Sequence, residues 1–92
     1  MSMTEHIPAE IVRDAIVKVL GVTPERASDP DARIIEDLGG DSLDSIEIAM
    51  EIEDDLRLDL LQADLDDAKT IADLVRITGE AIATISQKGK AA

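Results

Sequence analysis

The sequence predicts an all-α domain: a small four-helix bundle of three main helices and one short helix, with a long loop between the first and second helices. Apolar residues recur at helical spacing in three stretches, and no stretch alternates apolar and polar residues for the length of a strand. All but one of the prolines and three of the five glycines fall between positions 21 and 40, which separates the first helical stretch from the second. The 92 residues suffice for one small domain with a modest core. The expected organisation is a lead-in over 1–7, a folded domain over 8–85 and a flexible polar tail over 86–92.

The first helix is expected over about residues 8–20. Ile11, Val12, Ala15, Ile16, Val19 and Leu20 share one face, Pro8 suits a first helical turn, and Gly21 suits the stop. A loop of roughly 20 residues inside a compact domain is uncommon and is often functional. Val22, Ile34, Ile35 and Leu38 are expected to anchor it, with one helical turn near Pro24 to Ala27. The second main helix begins at Asp41-Ser42, either of which can cap it, and ends near Leu56 or Arg57. It carries a core stripe of Ile48, Ala49, Ile52 and Leu56, and an offset stripe of Leu43, Ile46 and Met50. Leu58, Leu60, Leu61 and Leu65 accompany a loop and a single-turn helix near 62–67. Thr70, with Asp73 three residues on, forms an acidic version of the capping box and opens the last helix, which runs to about Ile85.

Composition narrows the function. Acidic residues outnumber basic ones 21 to 9, for a formal charge of −12, so the basic footprint of a nucleic-acid binder is absent. Hydrophobic residues make up 45% of the chain, which argues for a folded core rather than an acidic disordered segment. There is no Cys, which excludes disulfides and cysteine nucleophiles, and the single His6 excludes a histidine metal cluster. Without Phe, Trp or Tyr there is no aromatic platform for bases or flat cofactors. No metal site is expected: an EF-hand loop started at Asp29 would place Ile34 and Gly40 where Gly and Glu are required. No apolar run is long enough to span a bilayer, and the N-terminus lacks the layout of a secretory signal. A cytoplasmic monomer is the expectation.

Ser42 is the residue that bears on chemistry. By position it is a helix cap. Nucleophilic catalysis is ruled out by the lack of a neighbouring base and of a Gly-x-Ser-x-Gly elbow, so no catalytic residue is expected. It reads as a site on which other proteins act. The stretch Asp37-Leu38-Gly39-Gly40-Asp41-Ser42-Leu43-Asp44-Ser45-Ile46-Glu47 closely resembles the signature of acyl carrier proteins. In that family an Asp-Leu-Gly-x-Asp-Ser-Leu-Asp string opens the second helix, and its serine carries 4′-phosphopantetheine through a phosphodiester. The order of helices and loop over about residues 8–83 follows the same family.

The resemblance implies a carrier rather than an enzyme. A phosphopantetheinyl transferase loads Ser42 from coenzyme A, and Asp41 helps that transferase hold Mg²⁺ near the phosphates; the plain alternative for Asp41 is a helix cap. The thiol belongs to the cofactor, so a chain without Cys can serve thioester chemistry. The loaded chain carries acyl intermediates among acyl-transferring, condensing and modifying enzymes of fatty acid, lipid or polyketide biosynthesis. Between Glu36 and Asp67 there are 13 acidic residues and one basic residue, Arg57. Such a surface steers basic docking patches on partners over long range. Asp44, Glu47, Glu51 and Asp54 are the charged candidates for partner recognition, and Leu43, Ile46 and Met50 the apolar ones.

Acyl chains in this family often tuck between helices; Ile48, Ala49, Ile52, Leu56, Leu61, Leu65, Ala68, Ile71 and Leu74 are candidates to line such a space and equally ordinary core residues. Leu61, Ala68 and Leu56 depart from residues common in fatty-acid carriers, which leaves the pathway open. The alternatives are an aminoacyl or peptidyl carrier, and an unmodified acidic helical interaction module.

Overall fold

The computed structural model describes residues 3–57, 59–60 and 62–91. Five helices follow one another: α1 (Met3–Leu20), α2 (Pro24–Ala27), α3 (Ser42–Leu56), α4 (Gln62–Asp67) and α5 (Ile71–Ala91). The four-helix bundle is α1, α3, α4 and α5, and α2 is the single turn expected within the long loop. Among the described residues there is no strand, and an isolated antiparallel bridge joins Arg33 to Thr70.

α1 is the hub, and α2, α3 and α5 all pack against it, while α4 rests on α5. Its inward face is the one the apolar spacing marks: Val12, Ala15 and Ile16 are buried, with Ile11, Val19 and Leu20 packed at the margin. Ile48 and Ile52 from α3, and Ile71, Leu74 and Ile77 from α5, complete the centre. Each fully buried aliphatic side chain contributes about 1.5–3 kcal/mol.

Two helices are longer than expected. α1 begins at Met3 instead of near Pro8, which is an interior residue. The missing Pro8 N–H removes one bond of the ladder, but the ring is fully buried and contributes apolar burial in return. α5 continues through residues 86–91, read from the sequence as polar tail. Apolar periodicity, which stops at Ile85, marks where burial ends, not where helical backbone must end. The stretch 86–91 contains no Pro, and its two lysines are of the charge that helix C-termini favour.

The helix ends follow the residues expected of them. Gly21 adopts φ 71°, a left-handed conformation open to glycine, and its N–H donates to Val17 O at 2.9 Å to close α1. Arg57 ends α3 in the same region, at φ 58°. At the start of α5 the Asp73 N–H donates to Thr70 Oγ1 at 3.2 Å. The Thr70 and Lys69 N–H groups donate to Asp73 Oδ2 at 3.1 and 2.9 Å.

The long loop is ordered by pairing with the entry to α5. Ile34 N–H donates to Lys69 O, Ile71 N–H to Ala32 O and Ala72 N–H to Pro30 O, at 3.0–3.1 Å. Ile34 and Leu38 are buried and Val22 is partly buried, as expected of anchors. Ile35 is not an anchor: it is 51% exposed. Ile34 and Leu38 lie one helical turn apart and both point inward, so the intervening turn directs Ile35 outward. Leu58 and Leu61 lie outside the described residues, and so does the side chain of Ile85.

Candidate functional site

The site forms where the long loop hands over to α3. Asp37 organises the approach. Its Oδ2 accepts from Arg33 N–H at 2.8 Å, and its carbonyl accepts from the Arg26 guanidinium. The Arg33 N–H bond, with the nearby guanidinium charges of Arg33 and Arg26, holds the Asp37 carboxyl below the usual carboxylate range. Gly39 then adopts φ 79° and turns the chain. Gly40 is buried for a different reason. Its N–H donates to Ile34 O at 3.1 Å, and a Cβ at this position would lie 3.2 Å from that same oxygen and 3.3 Å from Leu20 Cδ2. The Gly-Gly pair brings the loop close to α1 and aims the next residues at the helix start.

The cap is Asp41, not Ser42. Asp41 has extended backbone, and its Oδ1 accepts from the Asp44 N–H at 2.8 Å. Asp44 Oδ2 accepts in return from the Asp41 N–H at 3.1 Å. This reciprocal capping box takes over the role that position alone would give to serine. Ser42 becomes the first residue of α3, exposed, and its hydroxyl makes no hydrogen bond among the described residues. A hydroxyl so placed is open to an incoming protein and stands at the positive end of a 15-residue helix. It fits a phosphodiester attachment: it is reachable, and its backbone is fixed by groups other than itself.

Of the remaining recognition candidates, Leu43, Ile46 and Met50 are 62%, 53% and 57% exposed, so this offset stripe is surface and not core. Glu47 and Asp54 are also exposed. Asp44 is half-buried and occupied in the capping box. Glu51 is half-buried too, and its Oε1 accepts from Lys18 Nζ of α1 at 3.0 Å. That hydrogen bond and the Glu51 charge raise the Lys18 ammonium above its ordinary pKa. Glu51 therefore ties α3 to α1.

Ser42 also lies at a cleft of about 420 Å³ between α3, α4, the loop and the start of α5. Ser42, Ser45, Ile46, Ala49, Met50 and Glu53 form the α3 wall, three and four residues apart along one face. Ile34, Ile35, Leu65, Asp66, Ala68, Lys69 and Leu74 form the other side. Ala49, Leu65, Ala68 and Leu74, named from the sequence as candidates for an acyl-lining space, thus face one opening, whereas Ile48 and Ile52 are closed in the core, Leu56 packs at its margin, and Ile71 lines a separate groove between α1, α2 and α5. Leu61, the other named residue of this region, lies outside the described residues.

Ile35, Ser45 and Lys69 at the cleft were not legible in the sequence. The only signal for Ile35 and Lys69 is an apolar or basic residue out of keeping with its neighbours, and Ser45 carries none. A larger groove of about 800 Å³ runs between α1, α2 and α5 but includes no α3 residue, so the smaller cleft is the one with a chemical handle.

Among the described residues, no group of His, Cys, Asp or Glu is arranged to hold a metal, and no helix is long and apolar enough to cross a membrane. The family model described as the phosphopantetheine attachment site matches residues 10–77. An acyl carrier protein of Bdellovibrio bacteriovorus is 36% identical over 80 residues, covering 87% of this chain and 92% of its own. One of Akkermansia muciniphila is 36% identical over 73 residues, covering 79% and 90%. One of Campylobacter curvus is 41% identical over 64 residues, covering 70% and 82%. A match across this much of both chains, on the helices and loop that build the Ser42 site, places the chain in the acyl carrier protein family, whose members bear a covalent 4′-phosphopantetheine.

Proposed function

We propose that Ser42 is the attachment residue and that the chain carries acyl groups as thioesters on the arm tethered there. The single observation that supports this most is the exposed hydroxyl at the first position of α3, relieved of capping by Asp41. In loading, Ser42 Oγ forms a new bond to phosphorus as the pyrophosphate bond of coenzyme A breaks. The hydroxyl proton is released, and the adenosine-containing phosphate leaves. The base and Mg²⁺ belong to the transferase, with Asp41 presenting its second carboxylate oxygen toward that enzyme. The arm supplies the thiol that holds the cargo; this chain supplies the tether and the surface around it.

The chain acts as a carrier rather than a catalyst: among the described residues no side chain hydrogen-bonds the Ser42 hydroxyl to serve as its base. Its partners are acyl-transferring, condensing and modifying enzymes of fatty acid, lipid or polyketide synthesis, in the cytoplasm. They dock on the exposed Leu43, Ile46 and Met50 with Glu47 and Asp54 alongside. A small apolar contact within a wide acidic field suits a carrier that must leave as readily as it arrives.

The test is direct. The purified chain is incubated with coenzyme A, Mg²⁺ and a broad-specificity phosphopantetheinyl transferase, and its intact mass is taken. One phosphopantetheine adduct, absent from Ser42→Ala, is expected. A Ser42→Ala chain that still takes the adduct moves the site elsewhere. Failure of the wild type with several transferases would favour the unmodified interaction module. The mass of the thioester isolated from cells distinguishes acyl from aminoacyl cargo.

A further inference from the structure

Among the described residues, Lys69 is the one basic residue at the Ser42 cleft. Its position relative to Ser42 is set by the backbone. Lys69 O accepts from Ile34 N–H at 3.1 Å, and Ile34 O accepts from Gly40 N–H at 3.1 Å, two residues before Ser42. Lys69 N–H is itself held by Asp73 Oδ2 at 2.9 Å. The stem of the side chain therefore starts from fixed backbone, and its length gives the ammonium a reach of several ångströms across the opening.

Two carboxylates share the cleft with Lys69: Glu53 accepts from Leu60 N–H at 2.8 Å, and Asp66 also has a partner. Lys18, Arg13, Arg33 and Arg76 all form ion pairs with carboxylates. Among the described residues the Lys69 ammonium makes no ion pair, although the chain carries a formal charge of −12.

We infer that Lys69 is a positioning residue for the prosthetic arm: its ammonium pairs with the phosphodiester on Ser42 and draws the first atoms of the arm over the cleft. This rests on Ser42 being the attachment residue. The phosphodiester adds a negative charge beside Asp41 and Asp44, and Lys69 is the cation placed to offset it. The pair is exposed to solvent, so it biases the arm toward the cleft without locking it there, and it weakens with salt.

Apo and enzymatically loaded full-length chains test this, with intact mass establishing the adduct first and the arm thiol blocked by iodoacetamide. Both are pulsed with an amine-acetylating ester, and each lysine is followed by peptide mass. Lys69 should acetylate about two- to five-fold more slowly in the loaded chain at low salt, with Lys18 unchanged, and ~0.5 M NaCl should erase most of the difference. The ³¹P resonance of the loaded chain should move in Lys69→Gln and stay in place in Lys69→Arg. A loaded chain with unchanged Lys69 labelling, or with slowing that salt does not relieve, overturns the pairing. So does a ³¹P resonance that is the same in all three chains. A wild-type chain that takes no adduct overturns the assignment of Ser42 itself, and the pairing with it.

Discussion

Adjacent residues at the start of α3 divide two tasks that a single serine would have to combine. Asp41 caps the helix and Ser42 offers its hydroxyl. The Asp41 side chain has two oxygens, and Oδ1 is the one that accepts the Asp44 N–H. Capping and recognition by a transferase can therefore be separated by substitution. Asp41→Ala loses the cap, about 1 kcal/mol, or ~4–8 °C in melting temperature for a domain of this size. Asp41→Asn caps about as well and should melt within a degree or two of wild type. If the carboxylate also helps the transferase hold Mg²⁺, Asp41→Asn still takes the adduct markedly more slowly than wild type. Equal loading rates for the Asp41→Asn and wild-type chains would leave Asp41 as a cap alone. The motif Asp41-Ser42 was legible in the sequence, but the division of labour was not. Both side chains can cap, and only the backbone conformation at position 41 decides between them. Gly40 is a similar case: the sequence shows a glycine, and the 3.2 Å approach to Ile34 O shows that a side chain there would have to push its neighbours aside by a few tenths of an ångström.

Among the elements, the three main helices and the short α4 were legible because apolar spacing records which face is buried. The same signal misplaced the outer ends of α1 and α5, since a helix can run past the residues it buries. The loop was legible as ordered but not in its path. That path depends on pairing between residues 30–34 and 69–72, far apart in sequence, and this pairing places Lys69 at the cleft that Ser42 also lines. The pairing should be sensitive to acid. The Lys69 N–H, followed by that of Thr70, holds the Asp73 carboxyl below its ordinary value of 3.8, and the Arg33 N–H does the same for Asp37. A carboxyl whose pKa is lower folded than unfolded contributes stability that is fully present above the unfolded value, and the contribution is lost as pH falls through the folded one. The loop should therefore stay docked at pH 5 and above and begin to loosen below about pH 4. Amide exchange at Ile34 and Ile71 should rise there relative to that at Ile16. Asp73→Asn, which keeps an acceptor but cannot titrate, should flatten this acid limb. An unchanged limb would place the sensitivity in other carboxylates.

At the scale of the whole molecule, the excess of acidic over basic residues acts as a field, and the docking proposed above would feel it at encounter. The sequence showed the field but not which carboxylates are available to a partner. It grouped Glu47 with Glu51, one helical turn apart, yet the fold separates them: Glu47 is exposed, while Glu51 is half-buried and bound to Lys18. Charge reversal should therefore have different consequences at the two positions. Glu47→Lys should leave the melting temperature nearly unchanged and slow the association of a partner enzyme roughly two- to ten-fold at ~20 mM salt. The deficit should shrink toward ~200 mM as screening sets in. Glu51→Lys places two ammonium groups together between α1 and α3, so it should lower the melting temperature as well, and any kinetic loss would mix docking with stability. The comparison is informative because both substitutions change the net charge equally. If association depended on net charge alone, the two variants would slow it by the same factor. If docking follows the surface beside Ser42, Glu47→Lys slows association at constant stability, and Lys18→Met, which breaks the α1–α3 ion pair without placing a charge on α3, changes stability with little effect on association.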